Sequence, residues 1–315
     1  MKLVTFAVAG RDRVGAVMGS RVIDLNAAYA ASREAAGEAA AAAIADQTLP
    51  SDLLAFLHAG KAAVTAAQEA LRFARARGYA IPGVVYPLDG VRLRAPVPRP
   101  PKIVCPGTNY EDYRQVIGVP KSPVPLVFLK APSCVVGPGD PVKIPEGYGE
   151  VYHEYEFSCV IGKRCKGARK EHVAEVIFGY TIFDDITGRA LEAKTREFQP
   201  WGKSIDTFGP MGPWIVTPDE MPPDLYRLRI LRRRNGKVEA ESNTSNMIFR
   251  FDDIIAFVST FWTLEPGDLI TTASPMAGPI FPGDIIEAEI EGIGVLRNPV
   301  EVEKVDPVYA SRIGM

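Results

Sequence analysis

The 315-residue chain is 47% hydrophobic and 23% charged with a formal net charge of −2 at pH 7, enough apolar material for one large core and a smaller domain. The near-neutral balance gives no electrostatic reason to expect nucleic acid or an anionic membrane as a partner. No apolar run approaches a membrane span, and the N-terminal Met1-Lys2-Leu3-Val4-Thr5 lacks signal-peptide anatomy, so a cytoplasmic location is the default expectation.

In chain order, the pattern predicts three short strands at 3–8, 14–18 and 21–25, with turns at Gly10-Arg11-Asp12 and Gly19-Ser20. Alanine-rich helical segments follow at 27–45 and 61–77; the second stops at Gly78, which takes a left-handed cap at little cost. The proline-rich stretch 95–101 stiffens the chain into an extended connector. It separates a small N-terminal domain, residues 1–95, from a strand-rich domain at 102–305 that is expected to fold on its own, followed by a C-terminal tail at 306–315. The N-terminal part carries no cluster of acids, bases or ligands, and His58 reads as a helix-end or surface residue. Cys105, Cys134, Cys159 and Cys165 show no Cys-x-x-Cys spacing and read as small buried hydrophobes.

Beyond residue 101 the informative run is His-Glu-Tyr-Glu-Phe at 153–157, continued by Ser158-Cys159-Val160-Ile161. It reads as one strand, whose alternation points Glu154 and Glu156 the same way. Two carboxylates side by side on a buried strand lose water and repel each other, and a divalent cation removes both objections. The next predicted strand, 178–183, ends in Asp184-Asp185 and offers a third oxygen ligand. Three carboxylates with water in the open positions suit Mg²⁺ or Mn²⁺ far better than Zn²⁺. Taken alone, Glu-x-Glu is a weak motif, and the wet face of an ordinary strand is the alternative. Further along, Arg232-Arg233-Arg234 precedes Asn235-Gly236, a strong hairpin-turn signal, and reads as a solvated hairpin tip rather than a phosphate site. Gly267-Asp268 and Gly283-Asp284, each preceded by Pro, read as strand entries, and His172 as an exposed residue.

Six segments resemble the fumarylacetoacetate hydrolase family in order and spacing: YHEYEF at 152–157, FGYTIFDDITGR at 178–189, GKSIDTFGPMGPW at 202–214, NTSNMIF at 243–249, LEPGDLITTASP at 264–275 and GIGVLRN at 292–298. The resemblance implies a strand-rich α+β fold, a mixed β-sandwich roll with a smaller α/β N-terminal domain, often homodimeric. It also implies one Mg²⁺ or Mn²⁺ per site and a small 2-oxo or 1,3-diketo acid as substrate. Carried over by position, the metal ligands are Glu154, Glu156 and Asp185. Lys203 matches a family lysine that reaches the substrate. Thr272 and Ser274 match a Thr-Gly-Thr-Pro turn that meets it, with Ala273 in place of Gly and Ser274 in place of Thr.

A substrate of this kind chelates the cation and develops enolate charge, so fixed positive groups are expected near it. Besides Lys203, Arg189 suits a carboxylate clamp or ligand-orienting role, and Lys130 is a third candidate, with an ordinary salt bridge as the alternative for each. The sequence departs from the family at the lid, Gly107-Thr108-Asn109-Tyr110-Glu111-Asp112-Tyr113-Arg114-Gln115-Val116. Tyr110 is expected against the substrate. Hydrolytic members resembling this segment carry a His and, three residues on, a Glu that together activate water; here Tyr113 and Val116 stand in those places. A phenol is a poor base at neutral pH but a serviceable acid. Glu111, Asp112 or His153 are substitute bases in principle, though packing suits His153 better. Three functions follow: C–C hydrolysis of a diketo acid, ranked first on family frequency; decarboxylation or enol–keto tautomerisation, which needs no activated water; and metal and ligand binding without turnover.

Overall fold

Strand Tyr155–Ile161 lies inside a twelve-stranded mixed sheet, and every residue of it is buried. Such a strand is covered on both faces, which is why its sequence is an almost unbroken apolar run. The computed structural model describes residues 1–194 and 200–306; apart from Asp306, the expected C-terminal tail lies outside them. From one edge the sheet runs Val85–Pro87, Arg21–Asp24, Arg11–Met18, Lys2–Val8, Gly209–Val216, Ile177–Asp184, Tyr155–Ile161, Leu269–Ile270, Ile103–Gly107 and Leu126–Lys130. Pairing is antiparallel except where Leu269–Ile270 meets Ile103–Gly107 and where the short strand Val135–Val136 meets Gly209–Val216.

One face of this sheet takes the N-terminal helices. Val160, Phe183, Met211 and Ile215 from the sheet share a core with Phe56 and the alanines 63, 66, 67 and 70 of helix Lys61–Ala76. The opposite face takes a second sheet of five strands, Lys237–Asn243, Arg229–Arg234, Ile285–Ile290, Gly294–Glu303 and Val142–Pro145. Between the two sheets Phe157, Cys159, Tyr180 and Ile182 meet Ile230, Ala288, Ile290 and Leu296, closed at one side by helix Phe251–Phe261. Cys159 thus faces away from Glu156, and all four cysteines are free. A third sheet of three short strands, Thr187–Gly188, Val151–His153 and Gly278–Ile280, bridges the pair near the cleft.

Several local expectations change. The helical stretch 27–45 is two helices, Leu25–Ala35 and Ala41–Thr48, because Gly37 turns left-handed between them at φ 83°. A further helix, Leu53–Ala59, starts at Asp52, whose side chain accepts the N–H of Ala55 and caps it. His58 closes that helix and is exposed. The Asn235-Gly236 hairpin forms with both residues at positive φ, but its arginines are not a solvated tip. Arg232 is only 6% exposed, since it sits on an inner strand of the five-stranded sheet whose face is covered by the strand Gly278–Ile280. Arg233 pairs with Glu289 and Arg234 with Glu239 and Asp284.

The expectation that residues 102–305 stand apart from residues 1–95 meets a continuous sheet. Leu3 lies opposite Ile215 across an antiparallel pair, and Leu3, Ile23 and Leu25 share a core with Ile103, Phe183 and Leu269. Removing residues 1–95 would unpair the edge of strand Gly209–Val216 and bare Phe183, Met211 and Ile215. Leu3→Ala should therefore destabilise the whole chain by about 2–5 kcal/mol, the usual cost of a large-to-small change in a core. Denaturant unfolding should show one shifted transition; a shift confined to part of the signal would indicate two independent units.

Candidate metal centre

Glu154 belongs to no strand. The chain leaves the three-stranded sheet at His153 and enters the large sheet at Tyr155, and Glu154 is the crossing residue. The expected single strand is thus two, interrupted where the ligand sits. Its backbone is held by the neighbouring chain instead: its N–H donates to Asp184 Oδ1 at 3.0 Å, and its carbonyl accepts the N–H of Asp185 at 2.8 Å. Glu156, two residues on, lies opposite Phe183 on the strand that ends at Asp184. Glu154, Glu156 and Asp185 are all buried, and each brings a carboxylate oxygen within 4.8 Å of the others.

Three cations surround this acidic group. Lys203 donates to Asp185 Oδ2 and to Thr187 Oγ1, both at 2.7 Å, and lies 3.6 Å from Glu154. Lys130 donates to Asp185 Oδ1 at 2.5 Å. Arg189 donates to Glu192 at 2.9 Å and stands 3.3 Å from Glu154 Oε1. Burial raises the pKa of Glu156, and the negative charge of Asp185 adds to it. Burial alone would lift Asp185 too, but the Lys130 and Lys203 ammoniums hold it below the usual carboxylate range. Burial works against the charge on Lys203, yet Asp185 and Glu154 prevail and raise its pKa, so it stays protonated at neutral pH.

These residues fit a divalent ion. Among the described residues Glu154 Oε1 is buried without a hydrogen-bond partner, because Arg189 is near enough to attract it but not aimed to donate. An orphaned carboxylate oxygen facing two other carboxylates costs free energy that a cation recovers. The donor set is all oxygen, which suits Mg²⁺ or Mn²⁺ and not Zn²⁺. Counting Glu192, four carboxylates stand against three cations; a divalent ion turns that excess of negative charge into a positive one able to receive an anionic substrate.

The cleft above the ligands is lined by Gly107, Thr108, Tyr113, Ile117, Phe128, Arg189, Glu192, Lys203, Ala273 and Ser274 as well as Glu154 and Asp185. Of the expected substrate contacts, Lys130 does not reach it. Its ammonium spends three hydrogens on Asp185, the carbonyl of Ile186 and the carbonyl of Phe208, and its side chain is fully buried. Tyr110 and Thr272 also stand behind the cleft: the tyrosine hydroxyl lies 3.4 Å from Thr272 Oγ1, which donates to the carbonyl of Phe157. Ser274 lines the cleft. Between Thr272 and Ser274, Ala273 takes a left-handed φ of 64° and donates its N–H to Glu156 Oε2 at 3.1 Å. A backbone donor to a ligand leaves no sequence signal beyond the small residue at that position.

The lid residues form helix Glu111–Ile117. Tyr113 faces the cleft and accepts a hydrogen bond at 2.8 Å from Arg189. Val116 points outward, 67% exposed, and Ile117 takes the cleft-facing place instead. Neither acid at the start of the helix is free as a base. Glu111 is tied to Arg114 and Gln115, which hold its pKa down at about 2. Asp112 accepts from Ser242 and Asn246 and anchors the helix to strand Lys237–Asn243 and the turn beyond. His153 is buried against Asp184 rather than turned to the cleft, and His172 is exposed beside Glu175.

Residues 102–301 match the family model described as fumarylacetoacetate (FAA) hydrolase C-terminal. The chain belongs to the fumarylacetoacetate hydrolase family. It is 34% identical over 314 residues to the oxaloacetate tautomerase fahd2, mitochondrial, of Xenopus laevis, covering 95% of this chain and 90% of that protein. Among solved structures it is similar to 5-carboxymethyl-2-hydroxymuconate delta-isomerase from Mycobacterium smegmatis, with TM-score 0.71 and 28% identity over 96% of this chain and 99% of that one. It is equally similar to maleylpyruvate hydrolase from Sphingobium sp. SYK-6 in complex with manganese(II) and pyruvate, with TM-score 0.72 and 29% identity over 96% and 99% of the two chains. The family's strand-rich fold is therefore the fold of this chain, and a buried acidic triad stands at its centre. Among the described residues no helix is long and apolar enough to cross a membrane.

For this member of the family, Glu154→Gln, Glu156→Gln and Asp185→Asn should each abolish Mn²⁺ binding measured by calorimetry, together with metal-dependent turnover. Chelation should remove activity reversibly, and Mg²⁺ or Mn²⁺ should restore it. Three variants that bind Mn²⁺ as tightly as the unmutated protein would show the ligands to be elsewhere.

Proposed function

We propose that this chain is a Mg²⁺- or Mn²⁺-dependent tautomerase that interconverts the enol and keto forms of a small 2-oxo diacid of the oxaloacetate kind. The observation that carries this reading is Tyr113. In the lid place of the water-activating histidine stands a phenol bonded to Arg189, and the residue three positions on points into solvent. The remaining cleft acid that is not a ligand, Glu192, is paired with Arg189. Among the described residues the cleft thus offers acids and cations but no free base to activate water. The near full-length likeness to an oxaloacetate tautomerase supports the same reading.

A divalent ion held by Glu154, Glu156 and Asp185 would supply Lewis-acid stabilisation of the developing enolate. The protein's own groups do the rest. Arg189 and Lys203 line the cleft and would meet the substrate carboxylates, for which a guanidinium has matching geometry. Lys130, from behind, keeps Asp185 ionised. Burial, with the charge of Glu154, raises the pKa of Tyr113 against the opposing pull of Arg189, so its phenol is protonated at neutral pH. Ketonisation moves one proton: Tyr113 gives its hydrogen to the carbon beside the enol, and the enol O–H proton restores the phenol. Water plays no part in this step.

Hydrolysis of a diketo acid, placed first on sequence, becomes the second reading, favoured by the likeness to a maleylpyruvate hydrolase. The two separate cleanly. With Mn²⁺ present, the unmutated protein should ketonise enol-oxaloacetate rapidly and cleave acylpyruvates slowly. Tyr113→Phe should lower ketonisation by ~10²–10⁴-fold, the effect of losing a general acid, without changing Mn²⁺ affinity. Efficient acylpyruvate cleavage indifferent to Tyr113→Phe would replace tautomerisation with hydrolysis.

The family's homodimer belongs to the same proposal. Leu126 and Leu129 on the edge strand Leu126–Lys130 are 55% and 43% exposed, and Val116 and Ile117 of the lid helix are exposed too. Sedimentation at micromolar concentration should give twice the chain mass; a single-chain mass removes the dimer.

A further inference from the structure

Glu154 is the ligand without a strand of its own, so no ladder of hydrogen bonds fixes its backbone. The Asp184-Asp185 pair does so instead. Asp185 gives its N–H to the Glu154 carbonyl, while the Asp184 carboxylate takes the Glu154 N–H on Oδ1 and meets His153 Nδ1 with Oδ2. Asp184 is 2% exposed and His153 1%, so water cannot substitute for either contact.

His153 is confined in turn. It lies opposite Gly278 in the antiparallel pair of Val151–His153 with Gly278–Ile280, so their side-chain directions share a face. A Cβ on Gly278 would collide with the guanidinium of Arg232, which occupies that place. The Tyr155 ring lies 5.9 Å from the His153 ring, between centroids. Among the described residues His153 Nε2 is buried without a hydrogen-bond partner, and the contact with Asp184 is the imidazole's single polar anchor.

We propose that Asp184 is a positioning residue for the metal ligand Glu154, with His153 holding the Asp184 carboxylate in the rotamer that receives the Glu154 N–H. The inference rests on the metal-centre reading above. It explains why a second buried acid, which is not a ligand, stands directly before Asp185. Without it, the crossing residue loses its N–H partner in a place water does not reach, and the Glu154 carboxylate is free to swing away from Glu156 and Asp185.

The test is a series at position 184, read by Mn²⁺ calorimetry and by hydrogen–deuterium exchange of metal-free peptides covering residues 151–157. Asp184→Ala should weaken Mn²⁺ binding by ~10–100-fold, the usual effect of removing a group that orients a ligand, and speed exchange at the crossing. Asp184→Asn keeps an oxygen for the Glu154 N–H, so its affinity should stay within about threefold and its exchange stay slow. His153→Leu, which leaves Asp184 in place but unanchored, should fall between them and carries the test if Asp184→Ala does not fold. Wild-type affinity and exchange in folded Asp184→Ala, or an Asp184→Asn as damaged as Asp184→Ala, overturns the inference. Unmutated protein that fails to bind Mn²⁺ sinks the metal reading instead, and exchange alone then decides whether Asp184 holds Glu154.

Discussion

Three carboxylates with oxygens within 4.8 Å of one another, buried at the floor of a cleft, repel each other where water does little to screen them. Much of the surrounding structure answers that repulsion. Lys130 and Lys203 clamp the two oxygens of Asp185 from opposite sides, and Arg189 stands over Glu154. Lys130 is itself secured by two backbone carbonyls, so its charge is fixed rather than offered to a ligand. A cation in the middle converts the arrangement from a strained excess of negative charge into a site that attracts a small dianion.

The architecture brings these groups together by a change of sheet. One long buried strand would have carried Glu154 and Glu156 past the cleft as ordinary neighbours. The chain instead steps from the three-stranded to the twelve-stranded sheet at Glu154, where the Asp184-Asp185 segment ends its own strand. The sequence on either side is rigid, strand-paired and apolar, and only the crossing residue depends on side-chain hydrogen bonds for its place. Rigid elements with a single pinned exception hold ligand geometry better than a loop would.

The lid lies one layer above the acidic group. Its helix is anchored at Asp112 to the second sheet and closed over the ligands through Tyr113 and Arg189. A largely buried phenol with a raised pKa keeps its proton at neutral pH and is available as an acid rather than a base. The fold is shared by relatives named as tautomerase, isomerase and hydrolase, so the fold by itself does not choose among these reactions.

Local pattern made much of this legible. Alternating apolar residues announced the strands, Gly78 and Asn235-Gly236 announced a helix end and a hairpin, and the resemblance to the family, more than the weak Glu-x-Glu spacing, pointed to Glu154, Glu156 and Asp185 as one acidic cluster. Each of those signals reports a backbone period or a motif carried within a short segment. The tertiary structure alone decided the rest. Lys130 lies 55 residues from Asp185 and spends its hydrogens behind the cleft, Arg232 is buried because strand Gly278–Ile280 covers it, and Val116 turns outward while Ile117 turns in. His153 and Asp184, 31 residues apart, meet only because their strands end side by side. Sequence determined which residues could carry charge and where the chain could bend; what each charged side chain meets was decided by elements distant along the chain, because burial and hydrogen-bond partners belong to packing rather than to local backbone period.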